Sequence, residues 1–252
     1  MIKTFLKSTH KFLTGKLPPE KASSEATRLY RNRISSDAEL ASFAERYRTA
    51  IQKHRPDIED GLHEHSALHL TIQVYEILRC VKSRMNGTKG LIADLGASDS
   101  LFLEELDRGG FGFNIIKSCA SRIQSQGYDG IVGNLEELPF ETKSLDYVLC
   151  FETLEHVTDP ILSLREIRRV CREKAFVSIP WVPRSRFHDP TPDGAACKHI
   201  FEYSPEDFPK VAAIAGFRIA HYEKLDILGN GVDPLSSLYL NRFYLQPRGG
   251  YF

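Results

Sequence analysis

The sequence predicts an α/β domain, a mostly parallel, doubly wound sheet with helices on both faces, preceded by a helical segment. Two observations carry this. Residues 1–88 contain almost no strand-like runs, whereas from residue 89 short apolar runs alternate with helical stretches. A third sharpens it: LIADLGASDS at 91–100 reads as an apolar strand, a glycine, and a helix start. The chain divides accordingly into a helical cap, 1–88, and a sheet domain, 89–252.

In the first sixteen residues Ile2, Phe5, Leu6, Phe12 and Leu13 recur near helical spacing, with Lys3, Lys7, Lys11 and Lys16 between them. Such a segment could lie on an acidic membrane surface or simply pack as a short helix. It lacks the pattern of a signal peptide. Residues 20–54 are polar and helix-prone, with Leu29, Ile34, Leu40, Phe43, Tyr47 and Ile51 three to six apart. Residues 62–84 carry Leu68, Leu70, Ile72, Val74, Ile77, Leu78 and Val81, a broader apolar face, and Asn86-Gly87 stops the helix. His63, His65 and His69 include ligand spacing on that helix, but no cysteine supports a metal site there.

In the sheet domain, strands are expected at 91–95, 111–116, 129–133, 145–150, 175–180, 216–222 and 239–246. Helices are expected near 100–108, 118–126, 159–172 and 204–215. The Pro-rich stretch 180–192 reads as a long loop after the fifth strand. Arg165, Arg168, Arg169 and Arg172 read as a solvated helix face.

Composition narrows the function classes. Thirty-three basic residues balance 33 acidic ones, which argues against coating nucleic acid by bulk electrostatics. No apolar run approaches the roughly 20 residues of a membrane span. Cys80, Cys119, Cys150, Cys171 and Cys197 form no CxxC pair, which suits reduced thiols in a cytoplasmic protein.

The motif with most information is GNLEELPFETKSLDYVLCFETLEHVTDP at 133–160. Together with the Asp94-Leu95-Gly96 turn, REIRRVCREKAFVSIP at 165–180 and KHIFEYSPEDF at 198–208, it resembles the class I S-adenosylmethionine (SAM) methyltransferases of the type 11-like, small-molecule group. The resemblance implies a Rossmann-like seven-stranded sheet with the last strand antiparallel, and SAM across the C-terminal ends of the first strands. By position it assigns Asp94 and Gly96 to the methionine part, Asn114 to the ribose, Asn134 and Leu135 to the adenine, and Phe151 to the sulfonium, with Ala97 and Ile115 also among the cofactor-binding residues. Core packing is the alternative reading of Phe151, and a ligand-free βα turn that of the Gly96 segment.

There are departures. Ser98 and Ser100 replace glycines usual in the first turn, and the acidic ribose position is Asn114. An amide matches two hydroxyl donors less well than a carboxylate, so Asn114→Asp is expected to tighten SAM binding about fivefold. A degenerate, non-catalytic binding protein on the same fold is therefore the rival reading.

Methyl transfer to a hydroxyl needs alignment and a base. His199 and His156 are the candidate catalytic residues, with His188 and Asp189 in the long loop behind them. Trp181, Phe187, Phe201 and Tyr203 offer surface for a small molecule or a sugar-containing metabolite. Glu152, Glu155 and His156 form E-x-x-E-H, and with His199 are similar to the metal-binding set of small-RNA 3′-terminal 2′-O-methyltransferases and of some ubiquinone-pathway O-methyltransferases. Because E-x-L-E-H-V is also common in enzymes without metal, the expected site holds none and survives chelation. Nucleic acid is not expected as the acceptor.

Overall fold

In the computed structural model, residues 19–54, 64–85, 90–180, 182–188, 199–225 and 240–247 are described. The leading segment 1–16, the Asn86-Gly87 stop, Trp181, Asp189, Cys197 and His63 lie outside them. The described chain forms two compact units that divide after Arg84.

The first unit is helical. It contains α1 (Pro19–Ser35), α2 (Ala38–His54) and α3 (Glu64–Arg84). Asp37 starts α2: its Oδ1 accepts the backbone N–H groups of Glu39 (3.1 Å) and Leu40 (3.0 Å). Tyr30, Leu40, Phe43, Ile72, Ile77, Leu78 and Val81 are buried. Burial on α3 extends to His69, Thr71, Gln73 and Glu76, a wider face than its aliphatic residues alone mark out. Glu76 is neutralised on both sides, by Arg33 Nη2 at 2.9 Å and Arg79 Nη2 at 2.7 Å. His69 packs edge-on against Tyr30, with ring centroids 5.7 Å apart.

The second unit is built on a seven-stranded sheet of order β3-β2-β1-β4-β5-β9-β8. Its strands are β1 (Ile92–Leu95), β2 (Gly110–Asn114), β3 (Asp129–Val132), β4 (Leu145–Phe151), β5 (Cys171–Pro180), β8 (Phe217–Leu225) and β9 (Leu240–Pro247). The first five are parallel, and β9 runs antiparallel to β5. Every residue of β1 is buried, as expected of a central strand covered on both faces. The helices are α4 (Leu101–Glu105), α5 (Lys117–Ser125), α6 (Pro160–Val170) and α7 (Phe208–Ile214). Within the stretch read as one loop, β6 (Arg186–Phe187) pairs with β7 (Phe201–Glu202) in a separate two-stranded sheet.

The motif residues explain much of this geometry. Asp146 Oδ2 accepts the Leu91 N–H at 2.9 Å, so the acid of S-L-D-Y-V anchors the start of β1. Asp159 caps α6 by accepting the Leu162 N–H at 2.8 Å, and Pro160 follows at the first helical position. Ser163, Leu164, Ile167 and Val170 then form the buried stripe of α6. Strand β5 begins directly after α6 without the glycine pair usual in related sequences. Lys143 takes over that capping: its N–H meets the Arg169 carbonyl (2.8 Å) and its Nζ the Cys171 carbonyl (2.6 Å).

The basic run is only partly a solvated face: Arg165 is exposed, but the other three arginines are tied to the chain. Arg169 donates to the Phe140 (2.6 Å) and Leu138 (2.8 Å) carbonyls, Arg168 to the Gly216 carbonyl (3.0 Å), and Arg172 to Asp146 and the Lys143 carbonyl. Loop carbonyls left over by the sheet need donors, and the long guanidinium arms reach them.

Candidate functional site

Strand order reverses between β1 and β4, and the C-terminal ends of the strands at such a switch point form a ligand crevice. Leu95, Asn114 and Phe151 end three of these strands.

The β1 turn is held by the chain itself. Gly96 has φ +85°, and the N–H groups of Gly96 and Ala97 both donate to the Phe113 carbonyl, at 2.8 and 3.1 Å. A Cβ on Gly96 would stand 2.1 Å from Thr153 Oγ1, so the glycine makes room for the segment after β4. Asn114 completes the lock. Its Nδ2 donates to the Gly96 (3.1 Å) and Ala97 (2.8 Å) carbonyls, and its Oδ1 accepts the Ile116 N–H at 2.9 Å. The expectation that Asn114→Asp tightens SAM binding is therefore corrected: the amide holds two carbonyls, which a carboxylate would repel. Ser100, at a usual glycine position, gives its N–H and hydroxyl to Gln126 Oε1 at 2.8 and 2.7 Å.

Asp94 is buried inside β1, and burial followed by the charge of Asp99 pushes its carboxyl well above the ordinary range. Ile115 and Val132, at the ends of β2 and β3, are 63% and 52% exposed. Exposed apolar side chains at strand ends fit the flat face of a purine. Asn134 is exposed nearby in sequence and accepts the Glu136 N–H, while Leu135 is buried. Phe151 is half-buried, its ring 4.9 Å from that of Phe102.

A second group of residues follows β4. Glu152 has φ +49°, a conformation costly for a residue other than glycine. Ser178 holds it there: the Ser178 hydroxyl donates to Glu152 Oε1 at 2.8 Å, and the Glu152 N–H reaches the Ser178 carbonyl at 3.2 Å. A single 3-10 turn, Leu154–His156, then presents Glu155 and His156. The Ile200 N–H donates to the Glu155 carbonyl at 2.6 Å, which brings His199 alongside. The rings of His156 and His199 cross edge-on, 5.0 Å between centroids. One ligating atom from each of Glu155, His156 and His199 lies within 4.8 Å of the other two. Glu152 lies outside that group of three. Burial raises the carboxyls of both Glu152 and Glu155.

Glu202, which residue spacing did not single out, organises the histidines from behind. Its Oε1 lies 2.8 Å from His199 Nδ1, and its Oε2 lies 2.8 Å from Arg186 Nε and 3.4 Å from His188 Nε2. Burial works against its charge, but the His199 hydrogen bond and Arg186 outweigh it and hold the carboxyl at about 2. The only trace in the sequence is a glutamate three residues after His199 on an alternating run. Phe187, Phe201 and Tyr203 gather beside it, Phe201 and Tyr203 stacked with centroids 6.1 Å apart.

Comparison with known proteins agrees with this geometry. Residues 93–179 match the family model of a methyltransferase domain. No curated protein matches the sequence. Among solved structures, the chain is similar to a Haloferax volcanii methyltransferase complexed with the Trm112 methyltransferase activator (16% identity, 83% of this chain, 98% of that one, TM-score 0.56). It is also similar to a Thermotoga maritima SAM-dependent methyltransferase described as a candidate histamine N-methyltransferase (17%, 82% and 97%, 0.54). The [4+2]-cyclase SpnF shares the fold as well (15%, 75% and 84%, 0.54). Residues 93–179 thus match a methyltransferase domain, and the fold is the one shared by class I, SAM-dependent methyltransferases.

Proposed function

We propose that this domain transfers the methyl group of SAM to a hydroxyl of a small molecule or a sugar-containing metabolite, in the cytoplasm. The observation that carries the proposal is the crossed pair His156 and His199 after the C-terminal end of β4, backed by Glu202. The cofactor supplies an electrophilic methyl on a sulfonium. The Gly96–Ala97 turn, Asp94, the Ile115 and Val132 side chains, Asn134 and Phe151 would hold it. His199, its Nδ1 fixed by Glu202, faces the acceptor with Nε2 and accepts or directs the hydroxyl proton; His156 stands beside it. The exposed Phe187, edge-on to Phe201 and Tyr203, gives aromatic surface suited to such an acceptor. No N-P-P-[YF] tetrad follows β4, where the chain reads Phe151-Glu152-Thr153-Leu154, which disfavours amide-type amino acceptors.

The test is calorimetric titration with SAM, then turnover with matched hydroxyl and amine acceptors. His199→Ala should lower kcat on hydroxyl acceptors about 10²–10⁴-fold while leaving SAM affinity unchanged. No SAM binding at millimolar ligand, or equal turnover of amines by the variant, would overturn the reading in favour of a binding protein or an N-methyltransferase.

A further inference from the structure

The nucleoside half of the cofactor crevice departs from the usual pattern of such sheets. In doubly wound nucleotide-binding folds an acidic residue roughly 20 residues past the glycine turn holds the ribose hydroxyls. Here β2 ends in Asn114, and from Asn114 to Ser118 the chain reads Asn-Ile-Ile-Lys-Ser, without a carboxylate. Asn114 is 8% exposed, and its polar atoms are committed to the chain. Its Nδ2 donates to the Gly96 (3.1 Å) and Ala97 (2.8 Å) carbonyls, which uses both amide protons. Its Oδ1 accepts the Ile116 N–H at 2.9 Å, and its backbone carbonyl accepts the Gly133 N–H at 3.2 Å.

The rest of the β1 turn is closed in the same way. Arg122 Nη1 donates to the Ser98 carbonyl at 2.8 Å, and Gln126 Oε1 accepts the Ser100 N–H and hydroxyl. Asp99, the carboxylate of that turn, accepts the Leu101 N–H with Oδ1 (3.1 Å) and the Ser98 hydroxyl with Oδ2 (3.3 Å). Side chains placed to read a ribose thus hold the backbone beside it. At their ends β2 and β3 present apolar surface instead, the exposed Ile115 and Val132.

We infer that this crevice grips its cofactor by the adenine and methionine ends and leaves the ribose hydroxyls unread, so that it takes adenosine thioethers and sulfoniums with a 2′- or 3′-deoxyribose nearly as well as the parent compounds. Asn114 sets this specificity, because it fills the position of the acid and turns its polar atoms to the β1 turn. A hydroxyl that exchanges water for a carboxylate gains a charge-assisted bond, and its removal is costly. A hydroxyl lying beside Ile115 keeps its water in the free and the bound states, and its removal costs little. This selectivity belongs to the cofactor site and does not depend on which acceptor is methylated.

The test is calorimetric titration of the full chain with S-adenosylhomocysteine, the demethylated cofactor, and with its 2′-deoxy and 3′-deoxy forms. The three dissociation constants should lie within about fivefold of one another. An acid that accepted the hydroxyls would weaken each deoxy form about tenfold or more, from charge-assisted bonds of about 1.5–3 kcal/mol at about 1.4 kcal/mol per decade. Asn114→Ser, which loosens the β1 turn, should weaken all three ligands by the same factor, because no contact between amide and hydroxyl is lost. A loss larger than about fivefold on removing either hydroxyl overturns the inference. So does a weakening by Asn114→Ser that is smaller for a deoxy form than for the parent, since that unequal response marks an amide touching the ribose. Should Asn114→Ser not fold, the three wild-type titrations decide alone. Tight binding of the parent with weak binding of a deoxy form sinks this inference and leaves the proposed function standing; no binding of any of the three at millimolar ligand sinks both.

Discussion

Each unit of this protein buries a glutamate, and the two are treated in opposite ways. On α3, Glu76 is 4% exposed and lies within 3 Å of two guanidinium groups. After β4, Glu155 is 1% exposed, and its oxygens meet no donor among the described residues. The first arrangement answers its own electrostatic need and is a means of holding helices together. The second leaves the need open, beside two histidines. Burial alone thus says little about role; what surrounds the buried charge says more.

The largest expected effect sharpens the contrast from the helical side. Glu76→Ala should destabilise the protein by about 2–3 kcal/mol, because it removes one of the two carboxylates paired with Arg33, whose side chain is only 19% exposed, and the carboxylate paired with Arg79. Urea denaturation followed by circular dichroism checks it. Glu155→Gln, which removes a buried charge that no donor among the described residues meets, should show no loss or the opposite sign; equal losses at both positions would erase the comparison.

Asn114→Asp comes next. It replaces two donated hydrogen bonds by a carboxylate facing the Gly96 and Ala97 carbonyls. A loss of about 2 kcal/mol in stability and a weaker SAM affinity are expected. Tighter SAM binding in this variant would mean that the amide faces the ribose after all.

The smallest effect concerns acid stability. Asp37 is held below the usual carboxylate range by the Leu40 N–H, against a burial effect that raises it, and by Arg33. Its folded pKa is depressed, so its contribution is complete above the unfolded value of about 3.9 and is lost as pH falls through the lowered value. Asp37→Asn retains the cap but not the charge. It should cost a few tenths of a kcal/mol at neutral pH and flatten the stability profile only below about pH 4. Denaturation midpoints of both forms from pH 3 to 7 decide it.

Much of the sheet unit was legible in its residues. Apolar runs bounded by turn residues marked every strand of the seven-stranded sheet within a few positions, because strand and helix periods differ and each buried face must be apolar. Helix α6 was readable from Asp159-Pro160 and its stripe. The pair β6 and β7 was not, because two residues carry no period. Arg168, Arg169 and Arg172 looked solvated because most of their partners are backbone carbonyls, which have no sequence signature. Glu202 and Ser178 escaped notice for a related reason. They act through side chains 3 and 26 residues away in sequence, and only folding shows which neighbour each one meets.

By itself, then, the sequence determined the α/β class, the strand–glycine–helix junction at Gly96, and the types of residue available for chemistry: two glutamates and a histidine in one short segment, another histidine some forty residues on. These follow from local periodicity and composition, which act along the chain. Only the tertiary structure decided that Asn114 spends its amide on the β1 turn, that His199 comes to lie beside His156, and that Glu155 is buried with no donor. Those outcomes depend on which distant backbone groups and side chains share a small volume, and on what remains unpaired there once every other hydrogen bond has been made.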